Sequence, residues 1–137
     1  MDTISLPTAG LVVVTENKLL LAYSKNKKAW YLPGGKIDKG ETSLETLQRE
    51  IYEELNIKLK TERLKYYCHI TALAYGELPN IIMEQDCFIY DLSEKIKPNN
   101  EIEEVRFFNR EMYQLEPAQV PGVLKIFDKL MKDKILL

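Results

Sequence analysis

One histidine and two cysteines are all that the 137 residues offer as imidazole or thiolate metal ligands. That scarcity excludes a zinc site built from several histidines, and a Ser-His-Asp triad on any imidazole but His69. His69 stands in the alternating run 64–73, where a half-buried strand position is the plainer reading. Cys68 and Cys87 lack metal-ligand spacing, so both are expected to be core thiols rather than a disulfide. Long apolar runs are also missing: the longest, 11–14 and 19–22, fall far short of the roughly 20 residues of a membrane helix. The acidic start Met1-Asp2-Thr3 and the polar stretch 15–18 leave no room for a secretory signal. A soluble, cytoplasmic protein with no membrane partner is expected. Nor is there an excess of positive charge, since 19 Lys and Arg oppose 21 Asp and Glu. A polymeric nucleic-acid partner is therefore not expected.

What is present is ordinary globular usage, 45% apolar and 29% charged, in a length that suits one domain over 1–137. Two apolar stretches, 10–14 and 19–23, read as a hairpin around Glu16-Asn17, and further strands are expected at 64–73, 82–92 and 104–108. Turn-forming clusters at 25–28, 33–40, 76–80 and 97–100 read as loops. Helices are expected at 43–55 and 121–134, the second with Pro121 at its first position and a core stripe of Val120, Leu124, Phe127, Leu130 and Met131. The class is α/β or α+β, a mixed sheet flanked by helices.

The first helix carries the chemical signal. Thr42 and Glu45 form a capping-box pattern, and Leu44, Leu47, Ile51 and Leu55 repeat at the spacing of one buried face. At about 100° per residue, Glu50, Glu53 and Glu54 gather on one flank, roughly 110° from that face. Like charges at i, i+3 and i, i+4 repel by a few tenths of a kcal/mol each. Two readings follow: a solvated acidic face balanced by Arg49, or a site for a hard divalent cation, for which all-oxygen ligands suit Mg²⁺ or Mn²⁺.

Gly35, Glu41, Arg49-Glu50-Ile51, Glu53-Glu54 and Ile57 fall at the spacing G-x5-E-x7-R-E-U-x-E-E-x-G-U, with U a bulky apolar residue. Over residues 35–57 the chain thus resembles the Nudix hydrolases, MutT-like members included. Six single-identity positions agree, which chance gives about once in ten million starting points at roughly 7% usage per residue. The lead-in Trp30-Tyr31-Leu32-Pro33-Gly34-Gly35 and the stretch 101–108 resemble the family more loosely. Asn56 stands in place of the family's last glycine; asparagine tolerates a left-handed helix end, so the geometry is expected to survive at a cost below about 1 kcal/mol.

The resemblance implies an α/β/α sandwich and an Mg²⁺-dependent hydrolase, Mn²⁺ also serving. Its substrate would be a small nucleoside diphosphate-linked molecule, such as a nucleoside triphosphate, an oxidised one, or a nucleotide sugar. It implies metal binding by Glu50, Glu53 and Glu54 with the Gly34 carbonyl, and water activation by Glu50 or Glu53, or by Glu101 on a distant loop with Glu104 in reserve. Arg49 and Glu41 would pair to fix the loop on the helix. For the substrate, Gly35 lets the backbone approach, and Tyr23, Trp30, Tyr31 and Tyr75 are candidate stacking partners. Lys25, Lys27 and Lys28 face either phosphates or solvent. Gln119 suits a purine edge or a helix cap equally. A catalytically silent nucleotide-binding module is the alternative, and monomer or homodimer is left open. Three mutually repelling glutamates favour the enzyme, since a binding module is free to lose one.

Overall fold

The computed structural model describes residues 2–137. Its strands are β1 (Ile4–Val12), β2 (Val14–Thr15), β3 (Lys18–Ser24), β4 (Ala29–Tyr31), β5 (Gly34–Lys36), β6 (Lys65–Leu73), β7 (Ile81–Ile89) and β8 (Ile102–Phe108). Its helices are α1 (Ser43–Leu55), α2 (Arg110–Gln114) and α3 (Pro121–Lys132), with a 3-10 turn at Thr61–Arg63.

The strands form two four-stranded sheets. The first runs β5-β1-β7-β6, and its central β1–β7 pair is parallel while the outer pairs are antiparallel. In the second, β3 pairs with β8 along one edge and with β2 and then β4 along the other. The chain passes between the sheets at Val13, whose carbonyl accepts from Leu20 N at 2.9 Å. The expected hairpin is therefore shorter than 10–14 against 19–23. Only β2 and β3 make it, and β1 begins earlier, at Ile4, in the other sheet.

Helices cover opposite faces. Leu47, Ile51 and Leu55 of α1 pack with Ala9, Leu11, Leu20 and Phe88. Val123, Ile126, Phe127 and Leu130 of α3 pack with Val12, Leu21, Trp30, Cys87 and Phe108. The α3 stripe is turned by about 50° from the expected one: Val120, Phe127 and Leu130 are buried as expected, but Met131 is exposed and Leu124 half-buried, because Val123 and Ile126 take the core side. Helix α3 also ends at Lys132, two residues short of expectation. Loop 33–40 contains a strand, β5, since Gly34–Lys36 pairs with Thr8–Gly10. The short α2 went unforeseen for want of periodicity; Asn109 caps it by accepting from Met112 N. Cys87 is buried but Cys68 only partly, and His69 is exposed, its ring nitrogens 2.8 Å from Asp86 and 2.7 Å from Glu84. No helix among the described residues is long and apolar enough to cross a membrane.

Between β2 and β3, Glu16 and Asn17 sit at φ 51° and 62°, both left-handed as a two-residue hairpin turn demands. Glutamate is poorly suited to that conformation. Glu16→Asn is expected to raise unfolding stability by about 0.5–1 kcal/mol, measured by urea titration.

Candidate active site

The capping box forms as the sequence indicates, Thr42 Oγ1 accepting from Glu45 N at 3.1 Å and Glu45 Oε1 from Thr42 N at 2.9 Å. It starts α1 so that the acidic flank runs along β5 rather than into water. The approach is close. A Cβ on Gly35 would lie 2.5 Å from Glu50 Cδ, so only glycine leaves room for that carboxylate. Gly34 has φ +145°, where a side chain would also meet the Ala9 carbonyl.

The three helix glutamates consequently differ. Glu54 is buried, 6% exposed, and its Oε1 accepts from Gly34 N at 3.2 Å. Burial pushes its pKa up to about 8; the Gly34 N–H opposes the rise, and the nearby charges of Glu50, Glu101 and Glu53 add to it. Glu50, with 18% of its side chain exposed, is also raised, mainly by desolvation. Glu53, 46% exposed, stands at the rim.

Arg49 organises the outer side. Its Nε and Nη2 make a bidentate pair with Glu41 at 2.8 and 2.9 Å, and Nη1 donates to Glu50 at 2.9 Å and reaches Glu53 at 3.5 Å. Asp38 joins at 3.2 Å, and Nη2 also reaches the Lys36 carbonyl at 3.4 Å. Glu41 is held down at about 2 by the Arg49 hydrogen bond, with Thr46 Oγ1 donating at 2.8 Å. The guanidinium thereby ties the loop before α1 to the helix.

Glu101 enters from the far side of the chain. The loop before β8 caps α1: Lys97 N donates to the Leu55 carbonyl, Asn99 N to Glu54, and Asn100 Nδ2 to Glu53. Asn56, left-handed at φ 58°, continues the clasp by donating from Nδ2 to the Lys97 carbonyl at 2.9 Å. Glu101 then faces Glu50 and Glu54 across a cleft of about 460 Å³ between the two sheets. Its Oε2 accepts from Ser24 Oγ and Asn26 Nδ2, each at 3.2 Å.

A cleft lined by these acids, floored by two sheets and closed by a glycine strand, is matched by the NUDIX domain family model over residues 5–130. The chain belongs to the Nudix family. An RNA pyrophosphohydrolase from Tolumonas auensis is 36% identical over 53 residues, 38% of this chain and 30% of that protein. The 8-oxo-dGDP phosphatase NUDT18 of Homo sapiens is 47% identical over 36 residues, 26% of this chain and 11% of that one. The chain therefore aligns with less than a third of either relative. Among solved structures, a MutT protein from Methanosarcina mazei Go1 superposes with TM-score 0.76 over 98% of both chains at 18% identity, which speaks to the fold.

Within this Nudix fold, not every expected residue reaches the cleft. Strand parity sends Ala22 and Ser24 inward and Tyr23 to the opposite face, edge-on to Trp30 at 5.2 Å. Lys25 lies outside the lining; its Nζ donates to the Asn100 carbonyl at 3.4 Å. Lys27 does line the cleft, paired with Glu77, which also meets Lys36 at 3.7 Å. Gln119 Nε2 bonds the Tyr113 and Glu116 carbonyls at 2.8 Å each, so its amide serves the turn before α3 and not a base. Glu104 pairs with Arg106 at 3.2 Å on the exposed side of β8. Trp30 is buried, whereas Tyr31 and Tyr75 do line the cleft, joined by Tyr31 Oη donating to the Tyr75 carbonyl at 3.1 Å. Thr46, Asn99 and Asn100 were not anticipated, since single polar residues without periodicity give no signal of what they cap.

The donor set suits a hard cation. Glu54 is a buried carboxylate with no cationic partner among the described residues, and Arg49 is turned toward Glu41. Among those residues no three acidic, histidine or cysteine side chains are grouped closely enough to hold a metal ion by themselves.

Glu54 titrates near 4.5 when unfolded and about 8 when folded. Its contribution is complete below 4.5 and is lost as the pH rises through 8, with a slope of up to about 1.4 kcal/mol per pH unit. Without divalent cation, urea stability is expected to fall between about pH 5 and 8, and less steeply in Glu54→Gln. His69, raised by Asp86 and Glu84, and Glu50, raised by desolvation, add the same sign to both proteins, so their difference reports Glu54 together with its coupling to Glu50.

Proposed function

We propose that this chain is a divalent-cation-dependent pyrophosphohydrolase of small nucleoside diphosphate-linked molecules: nucleoside triphosphates, oxidised ones included, or nucleotide sugars. The observation that carries the reading is the convergence of Glu50, Glu54 and Glu101 on one cleft, where the nearest guanidinium, Arg49, reaches Glu50 alone of the three and is otherwise held by Glu41. A diphosphate repels an incoming hydroxide, so its hydrolysis needs charge neutralisation at the phosphate oxygens. Mg²⁺ or Mn²⁺, when bound, would supply that neutralisation and lower the pKa of the attacking water.

The chain's own residues divide the remaining work. Glu50, Glu53 and Glu54, with the Gly34 carbonyl, would hold the cation. Arg49, clamped by Glu41, fixes the rotamer of Glu50 and so positions that set. Glu101 takes the proton from water. Its two protein donors are neutral, Ser24 and Asn26, whereas Glu50 is already engaged by the Arg49 guanidinium and assigned to the cation. Lys27 and Lys36, at the cleft wall, meet the phosphates. The carboxylates also argue against a silent nucleotide-binding module, which gains nothing from keeping a buried, uncompensated Glu54.

With Mg²⁺, the protein is expected to release phosphate or pyrophosphate from at least one member of a panel of nucleoside triphosphates, oxidised purine triphosphates, dinucleoside polyphosphates, nucleotide sugars and a 5′-triphosphorylated RNA. Glu53→Gln and Glu54→Gln should abolish the release, and Glu101→Gln should lower kcat by about 10²-fold or more with little change in KM. No release from any member, with Mg²⁺-dependent thermal stabilisation by one nucleotide, would establish the binding module instead. Arg49→Ala should reduce turnover about tenfold or more; unchanged turnover would make it a plain surface ion pair.

A further inference from the structure

The cleft has a polar floor that phosphate hydrolysis does not use. Thr8 on β1 and Gln85 on β7 are direct partners across the parallel pair, so their side chains leave the sheet on the same face. Both are more than nine-tenths buried, at 7% and 8% exposure, and both line the cleft beside the apolar Leu6, Leu32 and Met83. Thr8 Oγ1 has no hydrogen-bond partner. Gln85 Oε1 faces only the weak thiol donor of Cys87, 3.7 Å away, and its Nε2 donates to no described residue. Buried hydroxyl and amide groups are nearly always paired, because desolvation without a replacement bond is unfavourable. An orphaned hydroxyl beside an amide whose Nε2 has no protein acceptor, at the bottom of a cleft, therefore points to a ligand.

The backbone makes room for this pair. Gly10, two residues after Thr8 in β1, lies beneath Gln85, and a Cβ there would stand 2.9 Å from Gln85 Cδ and 3.1 Å from Leu32 Cδ1. Glycine inside a buried strand gives up side-chain packing, and here the amide occupies the space it leaves.

We propose that Gln85 and Thr8 read the base of the substrate, selecting a 6-oxopurine over a 6-aminopurine. This deepens the hydrolase reading and rests on it. With Oε1 turned to Cys87, the amide offers Nε2, which only donates, to the 6-position of the base, and the hydroxyl beside it, which donates or accepts, pairs with N7. A 6-oxopurine presents two adjacent acceptors, O6 and N7. Adenine places an amino donor where O6 stands, which would oppose donor to donor in a desolvated site and leave both unpaired. A 2,4-dioxopyrimidine offers one acceptor beside a ring N–H and satisfies the pair less completely. The acids at the other wall of the same cleft are then left to the diphosphate.

The test compares kcat/KM for ITP, GTP, UTP and ATP with Mg²⁺, alongside calorimetric binding of IMP and AMP, which does not depend on turnover. ITP and GTP are expected to exceed ATP by about tenfold or more, and IMP to bind more tightly than AMP. Thr8→Val, which deletes the hydroxyl at constant volume, should weaken ITP and ATP alike, whereas Gln85→Leu should move the ITP:ATP ratio toward one. Gln85→Glu, whose carboxylate accepts but does not donate, should move the preference to ATP; that reversal cannot come from misfolding. Equal use of ITP and ATP, UTP matching GTP, or a ratio that survives Gln85→Leu would overturn the assignment and leave hydrolysis standing. IMP selectivity lost in Gln85→Leu without turnover of any nucleotide would keep the assignment and remove the hydrolase reading.

Discussion

The close packing of α1 against the Gly34–Lys36 strand governs the site. It brings the Glu50 carboxylate into the space where a side chain on Gly35 would stand, and it removes Glu54 from water with only a backbone N–H for company. Burying a carboxylate without a cation is unfavourable, and the upward displacement of both acids records that tension. Arg49 relieves the outer half of it, through its bidentate pair with Glu41 and its contact with Glu50. The inner half is left unrelieved. The acids of one helix are thus uncompensated on the cleft side and clamped on the other.

Glu101 reaches the same cleft from elsewhere in the chain, and the end of α1 supplies the means. The last carbonyls of a helix lack intrahelical partners, and here the loop before β8 satisfies three of them. Capping and delivery are one event, since the residue after Asn100 is Glu101. Asn56 belongs to the same clasp. Where the family pattern has glycine, asparagine adopts the left-handed turn and adds a bond to Lys97 that glycine lacks.

The comparison with solved structures supports a shared fold at low identity, and a fold of this kind accommodates many substrates. Substrate choice accordingly rests on the walls of the cleft rather than on the fold. The cleft floor sets the unpaired Thr8 hydroxyl beside the Gln85 amide among apolar neighbours, a pattern suited to discriminating edges of a flat heterocycle. The pairing of Lys27 and Lys36 with Glu77 puts two cations near the mouth, on the side where phosphates would lie.

Local rules made much of this readable. The capping box, the i, i+4 spacing of Leu47, Ile51 and Leu55 and the fixed intervals of the glutamates are properties of a single helix, and periodicity carries them whatever surrounds the helix. The Arg49–Glu41 pair followed because both residues fall within the box. Glu101 was reached only through the family pattern, since nothing local ties residue 101 to residue 54. What the helix packs against could not be read from the chain, and so the flank that spacing alone leaves in water turned out to bury Glu54. Strand parity in β3, which turns Tyr23 away and Ser24 inward, depends on a register set by β4 and β8. The Gln85–Thr8 floor exists only because two strands about eighty residues apart run parallel in register, a long-range pairing that no window of sequence contains.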